Sequence, residues 1–181
     1  MEKYNVIVLA GGEKGPLDET TGYPNKAMIP IHGKPMLDWV IDAFYHSTYV
    51  DNIVVVGPEE VDQLASRRYV RQRLFTGRSI VQNLIHAVAY IKTVLFRDAA
   101  SHNGYVISFC DAVFLTPEVI NSTLRHIEES APDVALHYTE KGTFERAGID
   151  TTRTYIPIDG KDYTGAVIYY IKKWPYLSLF V

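Results

Sequence analysis

Short apolar runs along the chain predict buried β-strands. Residues 6–9 form a continuous apolar run that two glycines soon follow, a pattern typical of a strand buried on both faces of a parallel sheet. Similar runs lie at residues 53–56, 105–109, 134–138 and 166–171. We therefore predict a β-strand at each of these places.

Segments with helical periodicity separate these strands. Apolar residues recur at helical spacing over residues 36–44 and again over residues 79–96, where Ser79 is a suitable N-cap. A third helix is predicted to begin at Pro117, with Thr116 as its cap. Because strands and helices alternate, the chain is expected to form an α/β fold with a Rossmann-like, doubly wound and mainly parallel sheet.

Length and composition indicate one ordinary soluble domain. The chain has 181 residues, of which 47% are hydrophobic and 22% charged, so it can bury a sizeable core. It contains no internal repeat, no flexible linker and no apolar stretch of bilayer length, so we expect a single domain over residues 1–181 and no membrane partner. The apolar ending at residues 177–181 predicts either a packed final helix or a truncated C-terminus.

The net charge bears on the expected partners, and the N-terminus bears on the expected compartment. A net charge of -3 and a pI near 6.1 give no general attraction to polyanions, so nucleic acid is not an expected partner. No signal peptide precedes the first strand, and the single cysteine, Cys110, lies in an apolar run. We therefore predict a cytoplasmic protein with a buried structural thiol, and the sequence leaves its oligomeric state open.

A long loop rich in glycine, lysine and proline follows the first strand. Gly11 and Gly12 allow the backbone to approach a ligand closely, and successive amide groups can form an anion-binding nest. Lys14, Lys26 and Lys34 add positive charge, and Lys26 is expected to hold an ordered position because prolines flank it. The loop therefore predicts a phosphate site.

Two common phosphate-binding motifs do not fit this loop. A dinucleotide-binding fingerprint needs a helix that starts within the glycines, whereas the first predicted helix begins near Met36. A Walker loop needs Ser or Thr after its Gly-Lys pair, but Pro35 follows Gly33 and Lys34. Both NAD binding and a P-loop are therefore disfavoured.

A carboxylate closely follows the third predicted strand. Asp111 lies where open α/β folds bind ligands, at the carboxyl edge of the sheet. The alternative role, a cap for the next turn or helix, is less favoured because Thr116 already provides a cap before Pro117. The position of Asp111 indicates a ligand-binding role.

The sequence of residues 9–12, LAGG, together with that of residues 24–37, PNKAMIPIHGKPML, resembles the opening signature of the MobA-like NTP transferases. This family contains molybdenum cofactor guanylyltransferases and sugar-phosphate nucleotidyltransferases. Residues 77–79 together with residues 82–83 are similar to a later nucleotide-contacting segment, and residues 111–117 to the metal segment. The resemblance covers most of the chain and implies the GT-A-type nucleotidyltransferase fold.

The resemblance also implies roles for individual residues. The implied nucleotide-binding residues are Leu9, Ala10, Gly11, Gly12, Lys26, Gly77, Ser79 and Asn83. Lys26 and Lys14 would act in catalysis by neutralising the triphosphate, and Asp111 would hold Mg²⁺. The implied activity moves a nucleoside monophosphate from a nucleoside triphosphate (NTP) to a small phosphorylated acceptor, and pyrophosphate leaves.

Two positions depart from the family pattern. Pro16 stands where the family usually has arginine, and Lys14 can replace that arginine only as a point charge. Val167 stands where the family commonly has asparagine, and Asp159 and Asp162 are alternative sources of a second metal ligand.

These departures keep two other functions open. One is a nucleotide-binding protein of the same fold with little or no turnover. The other is a glycosyltransferase that uses a nucleotide sugar, although its usual metal site would need a carboxylate where Val113 stands.

Overall fold

A computed structural model describes residues 3–11, 20–95, 103–150 and 152–173. The strands are β1 (Tyr4–Leu9), β2 (Pro30–Ile31), β3 (Lys34–Pro35), β4 (Val50–Val56), β5 (Gln72–Leu74), β6 (Tyr105–Phe109), β7 (Val134–Glu140), β8 (Ile156–Ile158) and β9 (Lys161–Ile171). The α-helices used below are α1 (Met36–Tyr45), α2 (Ile80–Tyr90), α3 (Pro117–Ser130) and α4 (Lys141–Arg146). Shorter helical turns are Lys26–Met28, Glu59–Gln63, Ala65–Tyr69 and, directly after α2, Ile91–Leu95.

The main sheet has the strand order β5-β4-β1-β6-β9-β7, and β8 pairs with β9 at the side of this path. Strand β1 pairs in parallel with β4 and β6, and β4 pairs in parallel with β5. Strand β9 runs antiparallel to β6, β7 and β8. The sheet is therefore mixed but mainly parallel, as predicted.

Helices cover both faces of the sheet. Successive side chains of a strand point to opposite faces, and those of β1 divide accordingly between two buried clusters. Val6 and Val8 pack in the cluster that also holds residues of α1 and α3. Ile7 and Leu9 pack in the cluster that holds residues of α2. This arrangement confirms the predicted doubly wound fold.

The predicted helix starts agree with the structure. The Ser79 hydroxyl accepts a hydrogen bond from the Gln82 amide at 3.2 Å and caps α2. The Thr116 hydroxyl accepts one from the Val119 amide at 3.4 Å, and Pro117 occupies the first turn of α3. The predicted helix over residues 79–96 is regular only as far as Tyr90, because a π-helical turn follows.

Several other expectations also have an outcome in the structure. Cys110 is 1% exposed, in agreement with a structural thiol. In the described part of the chain, no helix combines the length and the hydrophobicity needed to cross a membrane. The apolar ending at residues 177–181 lies outside the described residues.

Candidate functional site

A cleft of about 750 Å³ lies at the carboxyl edge of the parallel strands. Leu9 ends β1 and pairs in the sheet register with Phe109, which ends β6, so these two strand ends form its floor. The described residues that line the cleft are Leu9, Gly11, Lys26, Thr76, Gly77, Arg78, Ser79, Ile80, Asn83 and Phe109. Six of the predicted nucleotide-binding residues therefore face one space, although they come from three separate segments.

One wall of the cleft depends on a close approach between Gly11 and Thr76. A Cβ atom added at Gly11 would lie 2.2 Å from the Thr76 hydroxyl oxygen and 2.8 Å from the Thr76 Cβ. Any side chain at position 11 would therefore push the segment after β1 away from the segment after β5. This close approach explains why the residue at position 11 is a glycine.

The N-terminus of α2 forms a second wall, which side chains of the same helix hold in place. The Asn83 side-chain oxygen accepts a hydrogen bond from the Gly77 amide at 2.5 Å, and the Gln82 side-chain oxygen accepts one from the Arg78 amide at 2.8 Å. Asn83 is only 2% exposed. Its side chain therefore holds the loop in place, and the positive end of the helix dipole faces the cleft.

A short 3₁₀ turn positions Lys26. The Asn25 side chain caps this turn by accepting a hydrogen bond from the Ala27 amide at 2.8 Å, and Ala27 is fully buried. The cap and the buried anchor on either side of Lys26 leave its side chain on the surface of the cleft. The backbone on both sides of Lys26 therefore has a fixed contact, a side-chain cap before it and buried packing after it.

Lys26 forms an ion pair with Asp111 at the carboxyl edge of the sheet. The Lys26 Nζ lies 2.7 Å from Asp111 Oδ2, and the two side chains are 42% and 43% exposed. Asp111 follows β6 in a turn that the Cys110 amide ties to the Leu9 carbonyl at 3.0 Å. An ion pair this exposed contributes at most about 1 kcal/mol, so a phosphate or a cation can replace either partner.

A second pocket, of about 350 Å³, begins at Asp111. Its described lining residues are Asp111, Ala112, Val113, Phe114, Leu115, Thr139, Phe144, Ile149, Arg153, Thr164, Gly165 and Val167. Since Lys26 lines the first cleft and Asp111 lines the second pocket, their ion pair marks the place where the two spaces meet.

Ala10 is not among the described residues that line the cleft. Ala10 is 2% exposed, and its amide donates to the Val56 carbonyl at 2.8 Å, so it supports the cleft from behind. Gly12, Lys14 and Pro16 lie outside the described residues.

The third lysine of the loop does not reach the cleft. Lys34 Nζ forms an ion pair with Asp42 of α1 and lies 4.4 Å from the centre of the Trp39 ring. Its charge is therefore paired with a carboxylate of α1 and is not directed at the cleft.

The two alternative metal ligands do not join Asp111. Asp162 lines a separate depression together with Glu140 and Lys161. Asp159 lies in the turn between β8 and β9 with a φ angle of 48°. Over the ranges that the structure describes, no group of three or more His, Cys, Asp or Glu side chains gathers to hold a metal.

The sequence reasoning missed three residues that line the cleft, namely Thr76, Ile80 and Phe109, and it placed Arg78 in the nucleotide-contacting segment without giving it a binding role. Phe109 carried a usable signal, because it ends a strand that is parallel to β1. Its ring meets the ring of Tyr169 edge-on at 5.9 Å, and burial raises the pKa of the Tyr169 hydroxyl.

Arg78 lies between two residues that were predicted, and its exposed side chain adds a second cation to the cleft.

Solved nucleotidyltransferase structures share this fold. A hypothetical transferase from Thermus thermophilus matches with a TM-score of 0.72 and 24% identity over 98% of this chain and 67% of its own. A CMP:2-keto-3-deoxy-manno-octonic acid synthetase complexed with CTP matches with a TM-score of 0.64 and 16% identity over 99% of this chain and 77% of its own. A 4-diphosphocytidyl-2C-methyl-D-erythritol synthase from Anaerococcus prevotii matches with a TM-score of 0.64 and 12% identity over 99% of this chain and 75% of its own. At such identities the likeness establishes the fold.

The family follows from the sequence match. No curated protein sequence matches this chain significantly. The family model for the MobA-like NTP transferase domain matches residues 6–160, a span that includes both walls of the cleft and Asp111. This chain therefore belongs to the MobA-like NTP transferase family and is a nucleotidyltransferase.

Proposed function

We propose that this protein transfers a nucleoside monophosphate from an NTP to a small phosphorylated molecule, with Mg²⁺ and with release of pyrophosphate. The observation that carries the proposal is the Lys26–Asp111 pair, which lies where a cleft of nucleotide size meets a second pocket. Transfer between two phosphate compounds requires two adjoining binding spaces and positive charge at their junction.

The described residues have distinct tasks in this proposal. Leu9, Gly11 and the N-terminus of α2 bind the nucleotide, with the helix dipole directed at its phosphates. The Lys26 ammonium stabilises the negative charge that builds up on the α-phosphate as the acceptor oxygen attacks and the bond to the β-phosphate breaks. Exclusion of water from the junction would strengthen these interactions.

The donor set at Asp111 fits a magnesium ion. Mg²⁺ in phosphoryl-transfer sites is commonly held by one or two carboxylates together with substrate phosphates and water. Asp111 provides one exposed carboxylate beside the cleft. The triphosphate and water would provide the remaining ligands of the ion. The bound ion would neutralise phosphate charge in the transition state.

The two alternatives have less support from the pocket beside Asp111. A glycosyltransferase would need a second carboxylate near Asp111, but Val113 contributes an apolar side chain there. Val167 lines the same pocket where the family commonly has asparagine, which is the observation that favours a nucleotide-binding protein without turnover. Turnover therefore has to be measured separately from binding.

The test is a thermal-unfolding panel with ATP, GTP, CTP and UTP, each with Mg²⁺ or with EDTA. A ligand that binds only the native state raises the midpoint, so we expect one base to give a Mg²⁺-dependent shift. Asp111→Asn should remove the Mg²⁺ dependence and leave the unliganded midpoint close to that of the wild type, because the side chain is exposed.

Glu140→Gln is the matched control, since Glu140 also forms an exposed ion pair with a lysine but lines neither the cleft nor the second pocket. It should keep the full Mg²⁺ effect. Pyrophosphate release with candidate acceptors then measures turnover separately from nucleotide binding. A wild-type protein that none of the four nucleotides stabilises would contradict the proposal.

A further inference from the structure

We propose that the second pocket takes an acceptor phosphate with an apolar body, such as an aryl or alkyl phosphate, rather than a sugar phosphate. This inference rests on the proposed function and narrows its acceptor class. The pocket adjoins the nucleotide cleft at Asp111, so a phosphate placed at that end lies next to Lys26.

The walls of the pocket are mainly apolar and accessible. Phe114 is 93% exposed and Ile149 is 54% exposed, although both are large hydrophobic side chains. Phe144, Val113 and Val167 continue the same surface. Contact with an apolar body would remove these side chains from water, which is favourable in proportion to the area covered.

The polar groups in the wall are too few for a polyhydroxylated acceptor. Besides Asp111, the described polar lining side chains are Thr139, Thr164 and Arg153. Thr139 and Thr164 are cross-strand partners on β7 and β9, and Thr164 is only 6% exposed. Sugar hydroxyls that lose water without gaining partners would weaken binding.

Arg153 provides the charge complementarity for an anion. It is the cationic residue among the described lining residues, and its guanidinium lies 5.2 Å from the centre of the Phe144 ring. A guanidinium held over an aromatic ring can bind a phosphate while the ring contacts an apolar group. A phosphate ester with an apolar substituent matches both features.

The reaction balances without a further reagent. An oxygen of the acceptor phosphate forms a bond to the α-phosphorus of the NTP, and the bond between that phosphorus and the oxygen bridging to the β-phosphate breaks. The electron pair leaves with pyrophosphate. The attacking phosphate is already ionised, so no proton has to be removed, and the product is a nucleoside diphosphate ester of the apolar group.

The test compares two probes, phenyl phosphate and glucose 1-phosphate, by calorimetry on the full chain. We expect phenyl phosphate to bind about tenfold more tightly, and Ile149→Ser or Phe114→Ser to reduce that preference about threefold to tenfold, as expected for the loss of one apolar contact. Val119→Ser is the matched control, because Val119 is 49% exposed on α3 and lines neither space. It should leave the preference unchanged.

The possible outcomes separate this inference from the proposed function. Nucleotide binding together with equal or tighter binding of glucose 1-phosphate overturns the apolar acceptor and leaves nucleotidyl transfer standing. Absence of nucleotide binding overturns the proposed function and, with it, the acceptor role of the pocket. Self-association that Ile149→Ser abolishes, without a preference for phenyl phosphate, would assign the apolar surface to a second copy of the chain and also overturn the inference.

Discussion

The position of Lys26 is set by its immediate neighbours. Asn25 caps the short turn and Ala27 is fully buried, so the backbone on both sides of the lysine is held in place. A flexible lysine loses rotamer entropy when it binds a phosphate, and an anchored backbone limits that loss to the side chain itself. This arrangement suits a residue that must reach one point in the cleft.

Replacement of Lys26 by alanine should weaken NTP binding by about 1.5–3 kcal/mol, the range for a hydrogen bond to a charged group. The fold should persist because the side chain is 42% exposed and its turn is capped from Asn25. Calorimetric titration of the preferred NTP, with Mg²⁺ present, measures the change directly.

Lys161→Ala provides the comparison for Lys26→Ala. Lys161 Nζ lies 2.9 Å from the Glu140 carboxylate, so this variant also removes one lysine from an exposed ion pair, but this lysine does not line the cleft. Its affinity for NTP should equal that of the wild type. If both variants bind NTP equally well, Lys26 has no role in nucleotide binding.

Sequence reasoning at the residue scale identified chemical types but could not assign all of their partners. Lys26 and Lys34 have similar local surroundings in the sequence, rich in proline and apolar residues. Only the chain path shows that Asp42 pairs with Lys34, whereas Lys26 reaches Asp111, which is 85 positions away. Long-range pairing of this kind has no local signal.

At the scale of elements, predictability followed the strength of the periodic pattern. Strand β6 was predicted with the bounds that the structure has, because four of its five residues are apolar or aromatic and only Ser108 is polar. Strand β5 and helix α4 were missed: β5 is three residues long with no fully buried side chain, and α4 also buries none. Tertiary contacts rather than local sequence determine such short polar elements.

The close approach of Gly11 to Thr76, in the connections after β1 and β5, can be tested by substitution. Gly11→Ala should lower the free energy of unfolding by about 1–3 kcal/mol and weaken NTP binding, because the new Cβ would overlap the Thr76 side chain. Urea unfolding measures the first effect and calorimetry the second.

Thr76→Gly distinguishes a steric clash from a general loss of backbone freedom at position 11. It removes the three Thr76 atoms that approach the added Cβ, so the double variant Gly11→Ala/Thr76→Gly should lose less stability than the sum of the two single changes. Strict additivity would show that the contact between these two segments does not explain the glycine.

At the scale of the whole molecule, the strand order reverses direction beside β1. Strand β1 has β4 on one side and β6 on the other, and the helices after β1 and before β6 pack on opposite faces. Ligands of open α/β sheets bind at such a switch point, outside the carboxyl ends of the strands. The alternation of strands and helices predicted the fold class, but not the antiparallel β9 between β6 and β7, because periodicity carries no information on which strands are neighbours.

Tyr105 lies where the parallel part of the sheet joins the antiparallel part. It pairs in register with Asn5 of β1 and with Ile171 of β9, and it is fully buried. Burial raises the pKa of its hydroxyl from 10.0 to about 12. Only unfolding that disrupts this junction exposes Tyr105, so its ionisation reports on the stability of the whole molecule.

The pH dependence of stability follows from that raised pKa. Well below pH 10 both states keep the proton, and this group gives no pH dependence. As the pH rises through 10 towards 12, the unfolded state releases the proton more fully than the folded state, so the free energy of unfolding should fall by up to about 2–3 kcal/mol. Urea unfolding at pH 9, 10, 11 and 12 measures the fall. Tyr105→Phe has no proton to release and should lose less stability over the same interval, because only the other titrating groups remain. Parallel curves for the two proteins would show that the Tyr105 hydroxyl is not protected from ionisation by the fold.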